Sequence, residues 1–188
     1  NSDIAWQQTM ESLKALSLLK IEYSQVNFNV ITIILDNNLN ELIELAVFIK
    51  SLGANSLQFQ PLLPNNLRML ERRKTIFWIP EERLHLLDEE IDKLIYFKNK
   101  NPQFIKNSVK NLSHIKKYFL GITSEEFKCV SAYKTVLISN QGECTTCFSS
   151  YGDVKKSSLK NIFCSSEIIK AREKVKKCPW PCLLPRFC

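Results

Sequence analysis

The chain has 188 residues, 45% of them hydrophobic, enough to build a core in one ordinary domain or two small ones. It carries a formal net charge of +7, and no run approaches the roughly 20 apolar residues needed to cross a bilayer, which excludes a membrane span. The opening Asn1 to Trp6 lacks the charged and apolar blocks of a signal peptide, so a cytoplasmic location is expected. The chain starts without an initiator Met, inside a helical pattern, and an upstream part is expected to be missing.

Trp6, Met10, Leu13 and Leu16 recur at helical spacing, predicting a helix over about residues 4–20 that covers one face of a sheet. The β-branched, apolar run from Phe28 to Leu35 predicts a strand buried on both sides, as parallel strands are. Asn38, with Glu41 three residues later, predicts a capped helix carrying Leu42, Leu45, Ala46, Ile49 and Leu52 inward and stopping at Gly53. A second strand follows from Ser56 to Gln60, ended by Pro61. This is the β/α grammar of a parallel sheet or barrel. Two strands cannot close a barrel, so the segment is a small open sheet or the trailing half of a larger one.

From Leu62 to Thr75 the chain reads as a loop broken at Pro64-Asn65-Asn66. Pro80 then opens a helix with Glu81 and Glu82 near its positive end and a stripe of Leu84, Leu87, Ile91, Leu94 and Ile95. Another helix is predicted from Ser108 to Leu120, with Leu112, Ile115 and Phe119 inward and Gly121 closing it. Beyond Cys129 the residues Tyr133 to Ile138 alternate, Ser139 to Gly142 form a turn, and Glu143 to Phe148 return, giving a β-hairpin. Ser157 to Phe163 and Ser166 to Lys177 read as short helices, and Cys178-Pro179-Trp180-Pro181-Cys182 is too proline-rich to be regular.

Seven cysteines are present, none in the first 128 residues; they are Cys129, Cys144, Cys147, Cys164, Cys178, Cys182 and Cys188. Intracellular thiols stay reduced, which points to metal rather than a disulfide framework. The hairpin turn folds Cys129 and Cys147 toward each other in the pattern Cys129-x12-Gly142-x4-Cys147. Cys178 and Cys182 can complete a set of four, with Cys188 as an alternate or extra ligand. From spacing alone, an iron–sulfur cluster and a zinc site built on Cys144-x2-Cys147 with Cys178-x3-Cys182 fit equally well. Cys164 is expected to pack as a small buried hydrophobe and Cys144 to occupy an apolar hairpin position. His85 and His114 lie on predicted helices and are not read as ligands. Lys155, Lys156, Lys160, Lys170, Arg172, Lys174, Lys176, Lys177 and Arg186 lie among the cysteines, where they could offset thiolate charge or form a solvated basic face. That placement argues against nucleic acid as the partner.

The hairpin pattern, the helices after it and the Cys-rich end resemble the SPASM or twitch auxiliary-cluster domain of radical S-adenosylmethionine enzymes. The strand ending Leu35-Asp36-Asn37-Asn38, the Glu41-Leu42 helix, the Leu52-Gly53-Ala54 stop and the strand reaching Pro61 resemble the last units of that family's barrel. The resemblance implies an α/β architecture: residues 1–121 as the trailing part of a partial (β/α) barrel with connecting helices, and residues 122–188 as a small α+β cluster domain. It implies one auxiliary [4Fe-4S] cluster here, because the ending Cys178-x3-Cys182-x5-Cys188 is shorter than the full SPASM run.

The resemblance further implies that the intact enzyme cleaves S-adenosylmethionine reductively, using a second [4Fe-4S] cluster, to a 5′-deoxyadenosyl radical that takes hydrogen from a substrate. The Cys-x3-Cys-x2-Cys loop for that step has no counterpart in this sequence, so the chain alone is expected to be inactive and its partner to be the missing N-terminal half. The substrate is not specified. Gln58 and Gln60 point to one side of the second strand, into a cavity for substrate or S-adenosylmethionine or toward a neighbouring loop, and Asn37 lies just past the first strand. The rival reading is a zinc-stabilised module whose basic tail binds nucleic acid or an acidic partner.

Overall fold

A computed structural model describes residues 2–62, 75–122, 129–146 and 149–178, without the side chains of residues 2 and 3. The loop expected between Leu62 and Thr75, Cys147 with Phe148, and the proline-rich end from residue 179 lie outside the described residues. The chain is mixed α/β with small sheets and divides into two compact units, Asn1–Leu120 and Gly121–Cys188.

In the first unit, strands β1 (Asn29–Ile34) and β2 (Ser56–Pro61) pair in parallel, Asn29 opposite Ser56 through Ile34 opposite Pro61. A parallel pair needs a crossover, supplied by helix α2 (Leu42–Ser51), whose Leu42, Ala46 and Ile49 are buried. Helix α3 (Leu84–Lys100) buries Leu84, Leu87, Ile91 and Leu94 as its period demands. It also buries Glu90, whose carboxylate accepts from the Ile43 amide at 3.2 Å and from Lys93 at 2.7 Å.

The sheet has two unlike faces. Leu57, Phe59 and Ile34 are fully buried on one, whereas Ile31 is 60% exposed and Ile33 47% exposed on the other, opposite the half-buried Gln58 and Gln60. The expectation of a β1 buried on both sides is therefore corrected, because the described helices cover one face only.

Side-chain amides close what strands would otherwise close. Beyond β2, Leu57 exchanges main-chain bonds with Phe104 and Lys106 at 2.8 and 2.9 Å. Asn107 then bonds both polar groups of Phe59. At the outer edge of β1, Asn38 accepts from the Leu35 amide and donates to the Ile33 carbonyl, both at 2.9 Å. Asn38 is thus taken from its expected capping role, and α2 is entered through a tight 3-10 segment, Asp36–Glu41. Arg83 pairs with Asp36 at 2.7 Å and ties the exit of β1 to the turn before α3.

Helix α1 (Ser2–Glu22) half-buries Met10, Leu13 and Leu16, but Trp6, expected inward, is 58% exposed. Trp6 lies nearly four turns before Lys20, where the ammonium group ties the helix end to the Gly53 carbonyl and the Asn55 side chain. The single helix expected over Ser108 to Leu120 is two, α4 (Val109–Ser113) and α5 (Ile115–Leu120). At the break, the Ser113 hydroxyl donates to the Val109 carbonyl and His114 Nδ1 lies 2.7 Å from the Lys110 carbonyl, competing with the helix's own bonds.

The second unit holds an antiparallel sheet in the order β3 (Leu137–Ile138), β4 (Glu143–Thr145), β5 (Ser150–Asp153), followed by α6 (Leu159–Phe163) and α7 (Ser166–Lys176). Ser158 and Ser165 accept from the amides three residues on and start the two helices. Gly142 turns the hairpin at a φ of +87°, a region costly for any residue with a β-carbon. The strand expected from Tyr133 shrinks to two residues because residues 130–135 fold into a tight turn, and β5 was not expected at all.

Candidate metal centre

The core of the second unit is Ala132, Cys144, Tyr151, Ile162, Ile168 and Ala171, with Val136 and Phe163 packed against it. β4 alternates, which sends Cys144 inward between Glu143 and Thr145. Its side chain is fully buried, and burial together with the nearby Asp153 carboxylate pushes the thiol above its ordinary ionisation range. A metal ligand must be the thiolate, so Cys144 is the least suited of the described cysteines to ligation. On β5, Gly152 lets Ile162 of α6 approach so closely that a β-carbon there would lie 2.6 Å from Ile162 Cγ2.

Two further described cysteines adjoin, in sequence, elements that contribute to this core, the turn that holds Ala132 and the helix that holds Ile168 and Ala171. Cys129 is half-buried and leads into the turn 130–135, while Cys178 is half-buried at the exit of α7, its amide bonded to the Val175 carbonyl at 3.1 Å. The turn and the helix are joined directly. Arg172 of α7 donates from Nε to the Ala132 carbonyl at 2.9 Å, and its guanidinium lies 5.4 Å from the Tyr133 ring and 5.7 Å from the Phe163 ring.

Cys147, Cys182 and Cys188 fall outside the described residues. Among the described residues no three His, Cys, Asp or Glu side chains form a group able to hold a metal ion. Cys164, expected to be buried, is exposed, because it is the residue that ends α6 and its side chain leaves the core there. No family model matches the chain, and no curated protein or solved structure matches it.

The donor chemistry fits a soft metal centre. No histidine follows His114, the described Cys129 and Cys178 are half-buried, and three more cysteines lie in adjoining sequence. The basic residues separate into two kinds: Lys155, Lys156, Lys160, Lys170, Lys174, Lys176 and Lys177 are exposed, whereas Arg172 is half-buried and bonded. Sequence reading grouped Arg172 with the tail charges and missed this. The one signal was its place one turn from Ile168 and Val175 on the buried side of α7.

In the first unit Gln58 and Gln60 share a face and are half-buried, and Asn37 is exposed within the 3-10 segment after β1. His85 is exposed. His114 is buried, with Nδ1 against the Lys110 carbonyl.

Proposed function

We propose that this chain is the C-terminal portion of a radical S-adenosylmethionine enzyme, in which Cys129, Cys147, Cys178 and Cys182, with Cys188 as an alternate or extra ligand, hold one auxiliary [4Fe-4S] cluster. The motif Cys129-x12-Gly142-x4-Cys147 supports this reading. The observation that carries it is the bond between Arg172 and Ala132, 40 residues apart, which joins the turn after Cys129 to the helix before Cys178. A cluster needs thiolates drawn from distant stretches of chain, and a bond between the two segments next to Cys129 and Cys178 supports that reading. When bound, the cluster would supply a centre for electron transfer or substrate ligation.

The chain's own residues do the rest. In this reading the turn after Cys129 and the end of α7 carry the Cys129 and Cys178 thiols, and the exposed lysines of α6 and α7 moderate the negative charge that thiolates bring. Gln58, Gln60 and Asn37 are assigned to the wall of the cavity for substrate or S-adenosylmethionine, which rests on the two glutamines sharing the face that the described helices leave uncovered. S-adenosylmethionine and the second cluster belong to the N-terminal half of the intact enzyme, the partner of this portion.

The burial of Cys144 weighs against the zinc set that needs Cys144 with Cys147. Anaerobic reconstitution of the whole chain with iron and sulfide tests the reading. The expected result is a brown protein holding four irons and four sulfides per chain, the composition of the proposed cluster. Stoichiometric zinc with no iron uptake would replace it with the zinc module.

A further inference from the structure

Residues 130–135 form a turn whose shape is not favoured by its own sequence. Ala132 has a φ of +61°, a left-handed conformation that costs a residue with a β-carbon and persists where surrounding contacts impose it. Within the turn, the Val130 carbonyl accepts from the Tyr133 and Lys134 amides at 3.0 and 2.9 Å, and the Ala132 amide donates to Thr135 at 3.1 Å. The Ala132 carbonyl is aimed instead at α7, where Arg172 Nε takes it. Tyr133 returns the contact, its hydroxyl donating to the Arg172 carbonyl at 3.4 Å. Three segments therefore meet at one guanidinium: the turn after Cys129, the end of α6 through Phe163, and α7.

Resting on the thiolate ligation proposed above, we infer that Arg172 is a positioning residue that locks the Cys129 turn onto α7 before metal arrives, so that Cys129 and Cys178 are presented together. The role needs arginine. Its guanidinium is planar, can face two rings and donates from Nε in its own plane, whereas a lysine ammonium is a point donor that cannot do both. The benefit is to ligation: closing the stretch from Cys129 to Cys178 costs chain entropy, and a lock formed in the metal-free protein spends that cost during folding.

The test begins with the whole chain, metal-free and reduced, as wild type, Arg172→Met and Arg172→Lys. Amide exchange across residues 131–135 and alkylation of Cys129 report the lock, while exchange in β4 and β5 and the shielding of Cys144 report the core. Expected is turn exchange about ten-fold faster in Arg172→Met, which loses one hydrogen bond and two cation–π contacts, and also faster, by less, in Arg172→Lys, which keeps one kind of contact at most, with the core unchanged in both. Unchanged turn exchange overturns the inference. So does equal loosening of turn and core, because Arg172 would then be a general stabiliser. A second arm measures iron uptake, expected about ten-fold weaker in the variants, as for other groups that orient a ligand. If the wild type takes up no iron, the cluster reading fails, and turn exchange still decides whether Arg172 holds the turn.

Discussion

Asn107 serves Phe59 as a neighbouring strand would: its side-chain oxygen accepts from the Phe59 amide at 2.8 Å and its Nδ2 donates to the Phe59 carbonyl at 2.7 Å. Asn107 is fully buried, so both main-chain groups would be left dry and unpaired without it. Asn107→Ala is therefore expected to cost the first unit about 2–4 kcal/mol, two buried bonds at the usual penalty. Urea unfolding followed on Trp78 fluorescence measures this, and a shift below about 0.5 kcal/mol, the range of ordinary surface changes, refutes the strand-substitute role.

The other edge of the same sheet is closed only at its far end, where Asn38 bonds the Ile33 carbonyl and the Leu35 amide. No strand pairs with the outer side of β1 among the described residues, and Ile31 and Ile33 stand exposed beside that edge. An apolar, unpaired edge invites association, so the isolated chain should self-associate and Ile31→Lys should suppress this while changing stability by no more than about 0.5 kcal/mol. Sedimentation velocity across a concentration series compares the two proteins. Identical association in both would place the sticky surface elsewhere.

Alkaline pH should weaken the second unit. Burial holds the Cys144 thiol and the Tyr151 phenol above their ordinary ranges, with Cys144 adding to the effect on Tyr151 and Arg172 opposing it. The unfolded thiol ionises near about pH 8.5 while the folded one keeps its proton, so the unfolded state is favoured as pH rises. Stability from Cys144 is fully present below that pH and declines above it. Urea midpoints of the second unit, taken from neutral pH upward, should fall, and Cys144→Ala should flatten the first part of the decline. A flat profile in the wild type would contradict the burial argument.

Removing a ligand should cost more than removing a bystander. Under the proposed ligand set, Cys147→Ala should strip or severely destabilise the cluster after reconstitution, whereas the exposed Cys164, replaced by alanine, should leave it nearly intact. Iron and sulfide content after gel filtration gives the comparison. Equal retention in both variants removes Cys147 from the ligand set.

What sequence periodicity could reveal was the regular part of the fold. The stripe on α3, the parallel partnership of β1 and β2, and the two short helices α6 and α7 all follow from spacing, composition and breaks in the chain. Single-residue devices left no such trace. Asn38 reads as a helix cap and Asn107 carries no pattern, yet both bond the open sides of strands; nothing in the sequence around Ala132 announces its left-handed turn. β5, read along Ser150-Tyr151-Gly152-Asp153, has too little apolar alternation to announce a strand. At the candidate site the inward place of Cys144 was legible from the hairpin pattern, but the exposure of Cys164 and the lock at Arg172 depend on tertiary contacts.

Gly142 and Gly152 carry a consequence for how this sequence can drift. The first turns a hairpin at a φ of +87°, and the second leaves no room for a β-carbon beneath Ile162. Neither position tolerates a substitute without moving backbone or core, whereas most surface residues around them are free to change. Descendants of a common ancestor that have lost all overall similarity should still keep a pair of glycines ten residues apart, with a branched aliphatic residue ten further on. Such a pattern would trace kinship where whole-chain similarity has decayed.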